Sequence, residues 1–227
     1  MRLYLFLALG LVGSVLQVMV IWAMTKGAFR RYPGVFFYLL VLFLTSTADF
    51  GAFLDPSGFG GWYRNVYLVN NLLRQFSGLI AVLSLIFLAT ASHPQKGAVR
   101  IRVVIATVAV VAGAFLLTGG DSWDTYIIRV FRILSITNAL LNVVLWFELI
   151  RTRNRDRCVL LVCGGLGLNM AGEAIAQSLF AVTTSNAAWW IANLVGVLSH
   201  LFCLLIWWVA FRKAYVPLDV SSRVVSQ

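Results

Sequence analysis

Seven apolar runs, each about as long as a lipid bilayer is thick, dominate this sequence. A helix needs about 20 predominantly apolar residues to cross the hydrocarbon. Runs of that kind fall at about 3–25, 34–54, 66–91, 101–118, 124–150, 158–182 and 187–211. A soluble chain could not hide them: 61% of the residues are hydrophobic, 11% are charged and the mean hydropathy is +0.89. Soluble domains carry about a quarter charged residues. The expected fold is therefore an all-α integral membrane protein, a bundle of seven transmembrane helices over 1–211, with a polar tail at 212–227.

The first run is too long for a signal peptide, and its basic residues Lys26, Arg30 and Arg31 follow it rather than precede it, so it reads as a retained helix. The remaining charges set an orientation. Lys26, Arg30, Arg31, Lys96, Arg100, Arg102, Arg151, Arg153, Arg155, Arg157, Arg212, Lys213 and Arg223 fall in one set of connections, and Arg2 and Arg64 in the other. Positive residues concentrate on the cytoplasmic side, which predicts the N-terminus outside and the C-terminus inside. Asp55, Asp121 and Asp124 lie on the outer side. Trp62, Tyr63, Trp123, Tyr126, Trp189 and Trp190 would anchor the outer interface, and Trp207, Trp208 and Tyr215 the inner one. The net charge of +10 is thus a topology signal that points to membrane lipid as the partner and away from nucleic acid. Spans 1–3 and 5–7 run in the same sense around a single span. Residues 13–31 can be laid roughly over 138–157, a 3+1+3 arrangement also found in parallel-repeat transporters.

Ionisable residues at depth are expensive in lipid and mark function by default. Asp49 in span 2, Arg74 in span 3, Arg129 and Arg132 in span 5 and Glu173 in span 6 qualify. At 1.5 Å per residue all five lie roughly 8–15 Å below the outer surface, in one layer. Around them stand the amides Asn70 and Asn71 in span 3, Asn138 and Asn142 in span 5, Asn169 and Gln177 in span 6, Asn193 in span 7, and also His200. Asn169, Glu173 and Gln177 recur every four residues and so share one helix face. Two arrangements are open. The charges can pair off structurally, Asp49 with Arg74 and Glu173 with an arginine of span 5. Or Asp49, Arg74, Arg129, Arg132, Glu173 and Gln177 can line an outward-facing pocket, where three arginines against two carboxylates would favour a small anion.

Other chemistries are excluded. Lys26, Lys96 and Lys213 all lie at the cytoplasmic side, so no retinal-type Schiff base forms. His200 in a span and His93 in a connection cannot supply an intramembrane bis-histidine haem or a multi-histidine zinc site. No GxSxG motif and no pair of intramembrane aspartates is present. Cys158, Cys163 and Cys203 sit in or beside apolar runs without CxxC spacing and read as small apolar side chains. No cofactor, metal or catalytic residue is implied. Pro33, Pro56, Pro94 and Pro217 all lie at connections or helix ends. The Gly164, Gly165, Gly167 and Gly172 cluster of span 6 has no counterpart in span 2, which weighs against the broken helices of secondary transporters.

The segment Arg31-Tyr32-Pro33-Gly34-Val35-Phe36-Phe37-Tyr38-Leu39, with Trp62-Tyr63-Arg64 and Tyr67, resembles a group of uncharacterised bacterial seven-helix membrane proteins. The resemblance covers about a quarter of the chain and implies the same topology and a bacterial inner-membrane setting. It brings no activity and no functional residue. The layout is also similar to the seven-helix sensor modules that bacteria fuse to kinase or cyclase domains. The sequence stops about sixteen residues after span 7, so a sensor of this kind is expected to signal through a separate protein. The function expected first is a non-enzymatic, sensor-like or receptor-like membrane protein. The alternatives are a small-solute transporter, with Glu173 or Asp49 coupling a proton, and an accessory subunit of a larger membrane complex.

Overall fold

The computed structural model describes residues 2–54, 63–91, 96–119, 122–152, 156–182 and 186–213. Asp55, Pro56, Trp62, His93, Pro94, Asp121, Arg153, Arg155, Tyr215, Pro217 and Arg223, with the rest of the tail beyond 213, lie outside them. Among the described residues the chain forms eight helices: α1 (Arg2–Thr25), α2 (Ala28–Arg31), α3 (Pro33–Leu54), α4 (Tyr63–Ala89), α5 (Lys96–Leu117), α6 (Trp123–Arg151), α7 (Arg157–Val182) and α8 (Asn186–Lys213). All except α2 are long and apolar enough to cross a membrane. The chain is a multi-pass membrane protein.

The helix ends follow from local chemistry. Gly27, at φ 128°, takes a left-handed conformation that a Cβ would oppose, and so separates α1 from the single turn of α2. Pro33 opens α3, where its missing N–H costs nothing. Ser122 caps α6 by accepting from the Thr125 N–H at 3.3 Å. At the start of α7 the Asp156 carboxylate accepts from the Cys158 N–H at 2.9 Å and the Val159 N–H at 3.4 Å. Its other oxygen takes Arg31 of α2 at 2.5 Å.

Packing runs α1–α3–α4–α6–α7–α8 and back to α1, a closed ring of six long helices, with α5 outside against α4 and α6. The exclusion of α5 follows from its composition. It offers the ring no intramembrane amide or charge. Of its residues, Thr107 and Ala114 are buried, while Ile101, Ile105 and Val108 face outward. It is fastened at its ends: Arg100 donates to the Phe87 carbonyl of α4 at 2.6 Å, and the Tyr126 hydroxyl of α6 to the Phe115 carbonyl at 2.7 Å.

Within the ring, polarity is inverted relative to a soluble protein. On α6 the polar Asn142 is 3% exposed while the adjacent Val143 is 65% exposed. Lipid satisfies the valine and cannot satisfy the amide, so the helix rotates its amides inward. The main apolar core fills the half of the ring nearer α2. Tyr38, Leu39, Leu85, Leu145, Leu166, Cys203, Leu204, Trp207 and Phe211 are buried there. Trp207 was expected at the inner interface and is instead fully buried. Its indole N–H donates to the Val162 carbonyl at 2.9 Å, and its ring lies edge-on to Tyr38 at 6.1 Å. It fits because Gly165 faces it: a Cβ there would come within 2.8 Å of the indole nitrogen. The other glycines of α7 are likewise used internally, with Gly164 against Trp146 and Gly167 against Asn142. The glycine face of α7 and Trp207 are thus consumed within the chain.

Candidate functional site

The polar residues gather in the opposite half of the ring, the half that holds the N-terminal end of α1. Three networks cross between helices there. In the first, Arg74 of α4 donates from Nη2 to Asp49 of α3 at 2.5 Å and from Nε to the Thr45 hydroxyl at 2.8 Å. Asn70 fills the second carboxylate oxygen of Asp49 at 2.7 Å. In the second, Asn138 of α6 donates to the Gln75 side-chain oxygen of α4 at 2.8 Å, and Gln75 donates onward to Glu173 Oε1 of α7 at 2.5 Å. In the third, Asn169 of α7 donates to the Tyr38 hydroxyl of α3 at 2.9 Å. A fourth contact joins α1 to α8: the Gln17 amide nitrogen lies 3.0 Å from His200 Nε2.

A cavity of about 320 Å³ lies between α1, α3, α4, α7 and α8. Gln17, Tyr38 and His200 form its deepest polar layer. Arg74, Asn169, Glu173, Gln177 and Asn193 make its walls, with Ser14, Ser46 and Tyr67. Phe50 and Phe180 add apolar surface nearer the helix ends. Below Tyr38 the buried core closes the ring. The volume is at the lower end of small-molecule pockets, and the mixture of aromatic wall and convergent polar groups is what such pockets contain.

Of the residues singled out from sequence, Arg74, Glu173, Gln177, Asn169, Asn193 and His200 meet at this cavity. Asp49 and Asn70 stand behind Arg74 and hold it. Asn138 stands behind Gln75 and so positions Glu173. Asn71 donates within its own helix to the Tyr67 carbonyl at 2.8 Å, and Asn193 likewise to the Trp189 carbonyl at 2.8 Å. Asn142 packs against Gly167, away from the cavity.

Two expectations need correction. The carboxylate of Glu173 meets the neutral amide of Gln75 and forms no ion pair with an arginine of α6 among the described residues. Arg129 and Arg132 do not line the cavity. Arg129 is exposed and reaches the Gly119 carbonyl beyond α5, as a long side chain near a helix end is free to do. Arg132 is half-buried, with its Nε lacking a hydrogen-bond partner. The cavity therefore lacks the surplus of positive charge that three arginines would have given. It contains one arginine already paired with Asp49 and one carboxyl group hydrogen-bonded to a neutral amide.

Compared with known proteins, the chain matches no family model, no curated protein and no solved structure. The site must be read from its own chemistry.

Gln17, Tyr38, Thr45, Ser14 and Ser46 were not among the site residues expected from sequence. A signal for them exists. Gly10, Ser14 and Gln17 share one face of α1, and Tyr38, Thr45 and Asp49 share one face of α3, by helical spacing. Each is a neutral residue that a membrane helix tolerates singly, so the stripes stand out once the helices are placed in a ring.

Proposed function

We propose that this chain is a receptor-like or sensor-like membrane protein that binds a small polar solute in the cavity between α1, α3, α4, α7 and α8. The observation that carries the reading is the asymmetry of the ring: one half holds a polar cavity of about 320 Å³, and the other is filled by the core around Tyr38 and Trp207. A binding protein needs a built pocket and no through-route. The thirteen basic residues of one set of connections support a cytoplasmic position for that side, and with it an external position for the cavity and the N-terminus. Its setting is a bacterial inner membrane, on the resemblance of the segment around Tyr32 and Pro33.

The test is ligand-induced thermal stabilisation of the purified chain against a broad panel of small polar metabolites. A hit should vanish in Ser46→Phe, which puts a large side chain into the cavity while replacing no member of either charged network. If no compound shifts the melting temperature, or if shifts persist in Ser46→Phe, the reading fails.

A proton-coupled transporter is the second reading. One observation favours it: Glu173 has a neutral amide as partner, which leaves a proton as its natural counter-charge. Transport would require the packing of Tyr38 on Trp207 to part.

A further inference from the structure

The charges that face the cavity sort by wall. Arg74 on α4 spends Nε on Thr45 and Nη2 on Asp49, which leaves Nη1 without a protein partner among the described residues. Glu173 on α7 gives Oε1 to Gln75, which leaves Oε2 without one among the described residues. Both side chains line the same cavity. One unspent cationic donor and one unspent carboxylate oxygen thus stand on different walls of a pocket of about 320 Å³.

We infer that the solute is a small zwitterion, of the size of an amino acid, with its carboxylate on Arg74 Nη1 and its ammonium group on Glu173 Oε2. This rests on the proposed function and names the ligand class for the same site. Net charge decides the ligand class. A simple anion at Arg74 would sit beside Asp49 and Glu173, and like charges repel strongly where water is scarce. A simple amine at Glu173 would face the guanidinium. A zwitterion answers both groups and brings no net charge into a desolvated site, where an uncompensated ion is costly. Both contacts are charge-assisted. A pocket of this volume has room for about ten waters at ~30 Å³ each, which matches an amino acid rather than a nucleotide or a lipid. Phe50 and Phe180 offer apolar surface to a side chain.

The experiment is calorimetric titration and thermal shift of the full chain in detergent with the α-amino acids. Each is set against the deaminated acid and the decarboxylated amine of the same skeleton. At least one zwitterion should bind, with its acid and its amine each weaker by about tenfold or more, because each lacks one charge-assisted hydrogen bond. Arg74→Lys and Glu173→Gln should each weaken the zwitterion by about tenfold or more. Glu173→Gln is isosteric and keeps an oxygen for Gln75, so it reads binding even if Arg74→Lys folds poorly. Equal or tighter binding of the acid or the amine overturns the inference. So does the absence of any zwitterion binding. In that case a hit from the broad metabolite panel that is lost in Ser46→Phe leaves the binding function standing with a different ligand class. No hit in either set removes both.

Discussion

Gln75 Nε2 of α4 donates to Glu173 Oε1 of α7 at 2.5 Å, while the Gln75 side-chain oxygen accepts from Asn138 of α6 at 2.8 Å. One neutral side chain, 1% exposed, thereby ties three helices together and presents a carboxyl group to the cavity. Gln75→Leu removes a donor and an acceptor at once. Hydrogen bonds between membrane helices average about 0.6 kcal/mol and reach about 1.7. Gln75→Leu is therefore expected to lower stability in detergent by about 1–3 kcal/mol, since buried partners are left unmatched as well. Glu173→Gln, which keeps the acceptor, should be within about 0.5 kcal/mol of the parent. Reversible unfolding in mixed micelles measures both.

The two well-described ion pairs should differ in worth. Asp49 and Arg74 have side chains 26% and 22% exposed, at depth in the ring, whereas Arg31 is 55% exposed. Asp49→Ala strands a guanidinium away from bulk water and is expected to cost about 3 kcal/mol or more. Arg31→Ala should cost less than about 1 kcal/mol. Asp156→Ala should cost about 1 kcal/mol more than Arg31→Ala, because Asp156 also caps α7. The same unfolding assay ranks the three.

Gly165 and Gly10 provide a matched pair. A Cβ at Gly165 meets the Trp207 indole at 2.8 Å and 2.9 Å, and the Cys203 carbonyl at 3.3 Å; at Gly10 it meets nothing within 4 Å. Gly165→Ala should force the indole off the Val162 carbonyl and destabilise by about 1–3 kcal/mol. Gly10→Ala should be neutral or slightly stabilising. Tryptophan fluorescence during thermal unfolding reports on both.

The sequence made the helices legible because lipid imposes one rule, a long apolar run, and α1, α3 and the five helices from α4 to α8 all obey it. The depth of Asp49, Arg74 and Glu173 was equally readable, since depth is residue count times rise. Partner choice was not. Whether Glu173 meets an arginine or an amide depends on the rotation of α4 and α7 about their axes, which a stripe of Asn169, Glu173 and Gln177 constrains only in part. Arg129 illustrates the same limit: two residues further from the helix end it would have been trapped, and here its length takes it to the Gly119 carbonyl. Trp207 was assigned to an interface by residue type, yet Gly165 opposite it made room in the core. That complementarity lies between helices forty residues apart in sequence, beyond the reach of helical periodicity.

Sidedness of the cavity is the central claim, and labelling of an introduced cysteine tests it most directly. On a Cys158→Ser background, with Cys163 and Cys203 buried, Gln177→Cys is exposed to a membrane-impermeant maleimide in intact cells and in inverted vesicles. Labelling in intact cells and none in inverted vesicles is the expected result. Labelling from the cytoplasmic side, or from neither side, would contradict an external cavity closed by the core around Tyr38 and Trp207.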